Sequence, residues 1–188
     1  MSDEFQGATV EELANFVNHG NKVKYVFFWG HKKSGSGISK SCFSQWYESV
    51  FTVDEKKYLT AEHFMMAEKA RLFGDIKSEQ KILAASNPGE AKKLGRDVIG
   101  FNEARWKEKR FEIVVRANIE KFGQNQELLE FLLSTGNSVL VEASPVDKVW
   151  GVGLAEDHKD EYNPNNWKGL NLLGFALMEA RSQLACCA

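Results

Sequence analysis

Apolar positions recur at helical spacing along most of the chain and alternate at strand spacing only in a few short stretches. Thr9 and Glu12 form a capping box, and Val10, Leu13, Ala14 and Val17 supply the stripe of a first helix. Residues 23–29, rich in β-branched and aromatic types, predict a strand. Residues 51–53 and 57–60 read as short strands about an acidic turn. Thr60 caps a helix over 61–73, and Asp75 caps a second over 76–85. Asn87 and Pro88 open a third, with Gly95 as its C-terminal stop. Asn102 opens a long helix to Phe122, and residues 126–134 form another, closed by Gly136. Residues 138–142 return to strand composition, and 171–184 are a final amphipathic helix. Many helices, few strands and no regular βαβ alternation predict an α+β fold, a mainly helical single domain.

The chain has 188 residues, within the range of one domain with one core. Residues 1–22 are expected to form an N-terminal extension packed on a domain spanning 23–188. Lys and Arg number 24 against 26 Asp and Glu, a net charge of −2, so any anion must be held by a local site rather than a general basic surface. No apolar stretch is long enough to span a bilayer, and the acidic N-terminus (Asp3, Glu4, Glu11, Glu12) has no signal-like segment. Cys42, Cys186 and Cys187 show no paired spacing, and the four histidines form no ligand-like pair. No disulfide framework, metal or cofactor is therefore expected. The expected location is intracellular, in the cytoplasm, with no membrane partner.

Three segments carry candidate chemistry. In Tyr-Leu-Thr-Ala-Glu-His-Phe-Met-Met-Ala-Glu-Lys-Ala (58–70), Glu62 and Lys69 are seven apart. That spacing puts both on one helical face about 10 Å apart along the axis, with Lys69 leaning back toward Glu62. Met66 shares the face and makes its floor apolar. An acid and an amine around a small apolar gap suit acid–base or Schiff-base chemistry; the plainer alternative is an exposed helix with solvated charges. In the second segment (140–154), an apolar strand ends in Glu142, Ser144 and Asp147, followed by Trp150, Gly151 and Gly153, a reasonable pocket rim or else a polar turn capped by Asp147. In the third (165–174), Lys168 and Asn171 precede a helix N-terminus where a phosphate fits, unless the segment is a simple capping loop. The loop of Lys32, Lys33, Ser34, Gly35, Ser36, Gly37 and Lys40 lacks the P-loop pattern and reads as a mobile basic loop.

Together these segments resemble the NADAR/YbiA-like family from about Phe27 to Leu184. The resemblance rests on Phe28, Trp29 and Gly30; on Thr60, Glu62, His63, Lys69 and Ala70; on Pro88, Ala91, Lys92, Gly95 and Arg96; and on Trp106. Its most specific run is Leu133, Thr135, Gly136, Val141, Glu142, Ala143, Ser144, Pro145, Asp147, Trp150, Gly151 and Gly153, completed by Lys168, Gly169, Asn171, Leu173, Gly174, Leu177, Met178 and Arg181. Where the family has Ser-Asn-Phe-Tyr, this chain has Ser44, Gln45, Trp46 and Tyr47, a departure at two positions.

The resemblance implies an N-glycosidase with Glu62, Lys69 and Asp147 as catalytic residues. It implies Phe28, Trp29, Gly30, His63, Trp106, Ser144, Trp150, Lys168 and Asn171 as substrate-binding, with Trp106 and Trp150 stacking on a base or adenine. Two substrate classes follow from it: ADP-ribose attached to the exocyclic amine of guanine, in nucleotides or nucleic acid, and the ribosylamino-pyrimidine intermediates of riboflavin synthesis. Both carry an exocyclic amine on the anomeric carbon of a phosphorylated ribose. A non-catalytic ADP-ribose-binding module is the alternative from a different class; the acid, amine and second acid speak against it.

Overall fold

The structure is a computed structural model that describes residues 4–186 apart from 33, 34 and 36. The expected basic loop therefore falls partly outside the described residues. Among them are seven α-helices and four short strands: α1 (Val10–Asn18), β1 (Tyr25–Phe28), β2 (Phe51–Val53), β3 (Lys56–Tyr58), α2 (Ala61–Leu72), α3 (Ile76–Ala84), α4 (Pro88–Arg96), α5 (Glu103–Gly123), α6 (Gln126–Ser134), β4 (Val139–Glu142) and α7 (Leu172–Ala185). This is the mainly helical α+β class that the pattern predicts. The chain forms two compact units, one of residues 1–44 and 130–188, the other of residues 45–129.

In the 45–129 unit, β2 and β3 make an antiparallel hairpin pairing Phe51 with Tyr58 and Val53 with Lys56. Its two-residue turn, Asp54 and Glu55, holds both residues at positive φ (48° and 62°), the twist that suits a tight hairpin. The hairpin's Phe51 and Tyr58 rings stack at 5.6 Å, and Tyr58 meets Phe64 of α2 edge-on at 5.0 Å. Helix α2 is the centre of this unit and packs against α3, α4 and α5. Its first seven residues, Ala61 to Ala67, are all buried, Glu62 and His63 included. A helix apolar or buried on every side belongs in a core, so the alternative of an exposed, solvated α2 does not hold.

Gly95 is not a helix stop. It lies inside α4, which ends at Arg96 with Asp97 as its C-cap. A Cβ on Gly95 would fall 2.1 Å from Met66 Sδ and 2.8 Å from Met66 Cγ. The glycine is there for close approach of two helices rather than for termination.

In the other unit, β1 and β4 pair in parallel, Tyr25 opposite Val139 and Phe28 opposite Glu142. Val139, Leu140 and Val141 are buried, consistent with a parallel pair covered on both faces. Helix α7 lies on β4 so closely that a Cβ on Gly174 would fall 2.0 Å from the Leu140 carbonyl oxygen. Before β4, the Arg181 guanidinium donates to Thr135 Oγ1 (2.7 Å) and the Ser138 carbonyl (2.9 Å). The capping box of α1 forms as read, Thr9 accepting from the Glu12 N–H. Asn18 and Asn165 exchange side-chain hydrogen bonds of 3.1 Å, and Phe5 packs on Phe16 and Phe175 at 5.6 and 6.2 Å. Lys40, expected in the basic loop, instead opens a 3-10 turn and pairs with Glu156 at 3.2 Å.

Candidate functional site

Helix α2 begins where the sequence places it because Thr60 caps it, its hydroxyl accepting the His63 N–H. The same hydroxyl lies 2.8 Å from His63 Nδ1, and His63 Nε2 lies 3.2 Å from the Ala85 carbonyl. A carbonyl only accepts, so Nε2 carries the proton and Nδ1 accepts from Thr60. Burial lowers the His63 pKa, favouring the neutral ring. His63 is 1% exposed and ties the start of α2 to the C-cap of α3.

Glu62 is 2% exposed at the second position of α2, where the helix N-terminus favours a negative charge. Its backbone N–H donates to the Gln45 carbonyl at 3.0 Å. The Gln45 side chain in turn accepts from Asn118 Nδ2 at 3.2 Å, and that nitrogen also donates to the Val114 carbonyl at 2.8 Å. Both Asn118 hydrogens are thus used. Gln45 Nε2 and Asn118 Oδ1 remain buried without a hydrogen bond among the described residues. Gln45, which departs from the family pattern, therefore contributes to the buried polar support of Glu62's helix end.

Lys69 lies on the same helix and is half-buried. Its Nζ donates to the Gly95 carbonyl at 2.7 Å. The ammonium sits 4.4 Å from the Phe101 ring centre and 5.7 Å from that of Trp106. Burial, and secondarily the Arg96 charge, lower the Lys69 pKa. These are the two causes that move an amine toward its neutral, nucleophilic form. The aromatic faces act in the opposite sense, since they favour the cation. Of the residues around Lys69, Trp106 became a candidate through the family resemblance, Arg96 entered only as part of the family pattern, and Gly95 was also read as a helix stop. Phe101 carried no signal beyond an aromatic next to the Asn102 cap.

The second set lies in the other unit, where two parallel strands end side by side. Trp29 and Gly30 follow β1, and Ser144, Asp147 and Trp150 follow β4, with the Ala143 N–H donating to the Phe28 carbonyl. Loops beyond the carboxyl ends of parallel strands are favoured ligand positions. Trp29 is 60% exposed, whereas Phe28 is 1% exposed and meets Phe43 edge-on at 5.4 Å, a core residue. Gly30 holds a φ of 80°. Asp147 Oδ1 accepts from the N–H groups of Val149 and Trp150, both at 2.8 Å. The Asp147 N–H donates to Ser144 Oγ at 3.1 Å. The carboxylate thus shapes its own turn through one oxygen.

Asn171 is fully buried and adopts a left-handed conformation (φ 50°). Its side chain does not cap α7. Instead Oδ1 accepts the Glu142 N–H at 3.0 Å and Nδ2 donates to the Leu140 carbonyl at 2.9 Å. The amide thereby continues the β4 edge as a neighbouring strand would. Wholly buried and bonded to β4 at both its oxygen and its nitrogen, the amide is not open to a phosphate from solvent. Lys168 is exposed. A cavity of about 390 Å³ in this unit is lined by Phe5, Phe175, Arg181 and their neighbours; none of the candidate residues lines it.

Among the described residues, no group of three or more His, Cys, Asp or Glu is arranged to hold a metal. No helix of the described residues is long and apolar enough to cross a membrane.

Comparison with known proteins adds a family. The model of the NADAR domain matches residues 27–185. The chain is 43% identical over 165 residues to the N-glycosidase R617 of Acanthamoeba polyphaga mimivirus, covering 85% of this chain and 96% of that one. It is 34% identical over 145 residues to the N-glycosidase YbiA of Escherichia coli (strain K12), covering 77% and 80%. The NMR structure of E. coli YbiA superposes with a TM-score of 0.70 at 31% identity, over 87% of this chain and 86% of that one.

Proposed function

The chain belongs to the NADAR domain family and is a hydrolase of N-glycosyl bonds, and from that premise we propose that it cleaves the bond between an exocyclic base amine and the anomeric carbon of a ribose. The observation that carries this reading is the setting of Lys69: half-buried, lowered in pKa beside Arg96, and flanked by two aromatic rings. A glycosylamine differs from an ordinary glycoside because its ring can open without expelling an alkoxide. Protonation of the ring oxygen breaks the C1′–O bond and leaves an iminium between C1′ and the base nitrogen. The Lys69 lone pair then adds to C1′. A proton passes to the base nitrogen, and the C1′–N bond to the base breaks. The base leaves as a neutral amine and the sugar remains as a Lys69 imine. Water adds to C1′, Lys69 departs as the amine, and the freed sugar closes. Glu62 is the proposed proton carrier for this exchange. Asp147 is proposed as a second acid or base, on the family resemblance.

The finer reading is that the substrate is ADP-ribose on guanine, in a nucleotide or nucleic acid. It rests on the resemblance and on the two rings at Lys69, which offer more stacking area than a single-ring pyrimidine needs. The second reading is a ribosylamino-pyrimidine phosphate. A direct water attack through an oxocarbenium-like state, assisted by carboxylate alone, is the competing mechanism. The test is incubation of the protein, and of Glu62→Ala, with guanine-ADP-ribosylated oligonucleotide and separately with the ribosylamino-pyrimidine phosphate. Release of ADP-ribose from guanine by the unaltered protein only is expected. Cleavage of the pyrimidine alone reverses the substrate order, and cleavage of neither leaves a binding module.

A further inference from the structure

Phe101 sits in the short connection between α4 and α5, and the residue is 46% exposed. The connection is anchored on both sides of that ring. The Ile99 N–H donates to Asp75 Oδ2 at 2.9 Å, and Asn102 caps α5 by accepting the Arg105 N–H at 2.9 Å. Between them Gly100 takes a φ of 75° that turns the chain. Behind Phe101, Phe73 packs edge-on at 5.4 Å. The Lys69 ammonium lies 4.4 Å from the ring centre. The loop thus holds the ring in place with about half of the residue's surface open to an incoming group. Here the ring also adjoins the amine to which the proposed chemistry is assigned.

We propose that Phe101 is a specificity-determining residue whose exposed ring receives the leaving base by stacking, next to the Lys69 amine. The inference rests on the reading under Proposed function and names the part of that site that selects the base. Aromatic pairs stack offset rather than centre on centre, and Lys69 Nζ lies over the Phe101 ring 4.4 Å from its centre, so a base stacked off-centre on that face lies beside the amine and directs an in-plane substituent at it. Base–aromatic stacking is sequence-tolerant and grows with ring area, so Phe101 favours a purine over a pyrimidine without reading its edges.

The test uses the full chain with the guanine-ADP-ribosylated oligonucleotide, comparing the unaltered protein with Phe101→Leu and Phe101→Trp. It includes inhibition by guanosine monophosphate as a probe of the base subsite. Phe101→Leu keeps apolar volume but removes the π face. It is expected to raise KM and weaken guanosine monophosphate inhibition by about tenfold or more, with kcat within about threefold. Phe101→Trp is expected to retain or strengthen both. Unchanged KM and inhibition in Phe101→Leu, in a preparation whose unaltered protein is active, overturn the inference while leaving the proposed function intact. A shifted pH profile with unchanged KM also overturns it, by showing that Phe101 acts only through Lys69. An unaltered protein inactive on both the guanine and the pyrimidine substrate overturns the functional reading and this inference together.

Discussion

The Nζ of Lys69 donates its 2.7 Å hydrogen bond to the carbonyl of Gly95, a residue whose missing side chain is what lets α4 approach α2. One glycine thus sets both the packing of two helices and the position of the candidate nucleophile. A Cβ there meets Met66 Sδ, Cγ and Cβ at 2.1, 2.8 and 3.1 Å. Overpacking of this kind costs about 1–3 kcal/mol, against a gain of about 1 kcal/mol from better helix propensity. Gly95→Ala is therefore expected to be destabilising by up to about 2 kcal/mol. It is also expected to lower kcat, because the carbonyl moves away from Lys69. Urea unfolding and steady-state kinetics check the two parts separately.

The pH dependence follows from the Lys69 shift. An amine acts as nucleophile only when neutral, so kcat/KM rises with pH and levels above the lowered pKa. Arg96 is one of the two causes of that lowering. Arg96→Gln removes a positive neighbour, raises the Lys69 pKa and moves the rising limb to higher pH. A pH–rate profile of both proteins measures it; a limb that moves to lower pH contradicts the assignment.

Glu62 is buried at the start of α2, with its backbone held by Gln45. Glu62→Gln preserves shape and removes the exchangeable charge. A proton carrier contributes about 10²–10⁴-fold, so kcat is expected to fall by that order while the far-UV spectrum stays unchanged. Asp147→Asn, measured the same way, tests the second acid independently.

Asn171 is the prediction for stability alone. Its side chain satisfies the Glu142 N–H and the Leu140 carbonyl while itself wholly buried. Asn171→Ala leaves both backbone groups without that partner, at about 1–3 kcal/mol each. It also puts alanine at a φ of 50°, a conformation that asparagine tolerates better. A loss of about 2–5 kcal/mol is expected in denaturant unfolding.

Helix starts were legible in the sequence because caps are local. Thr60, Asp75, Asn87 and Asn102 each accept the backbone N–H that their positions imply. Gly95 was misleading for a physical reason. Glycine serves helix ends and close helix contacts alike, and only the packing against Met66 distinguishes them. The parallel pairing of β1 with β4 joins segments with more than 100 residues between them, and nothing in either strand specifies its partner. Asn171 read as a phosphate holder, or else part of a capping loop, because it precedes α7, yet its amide serves the strand edge. The Glu62–Lys69 spacing was visible, but its environment was not. Lys69's hydrogen-bond acceptor is 26 positions away, and Phe101 entered the site only through the fold.

The central claim is that Lys69 becomes covalently joined to the sugar during turnover, and its most direct measurement is borohydride trapping. The protein is mixed with guanine-ADP-ribosylated oligonucleotide and reduced during turnover, and its mass is then mapped by peptide. The account predicts an ADP-ribosyl adduct on the peptide carrying Lys69, absent without substrate and absent in Lys69→Arg. Full turnover with no adduct on that peptide contradicts it, and leaves carboxylate-assisted attack by water as the mechanism.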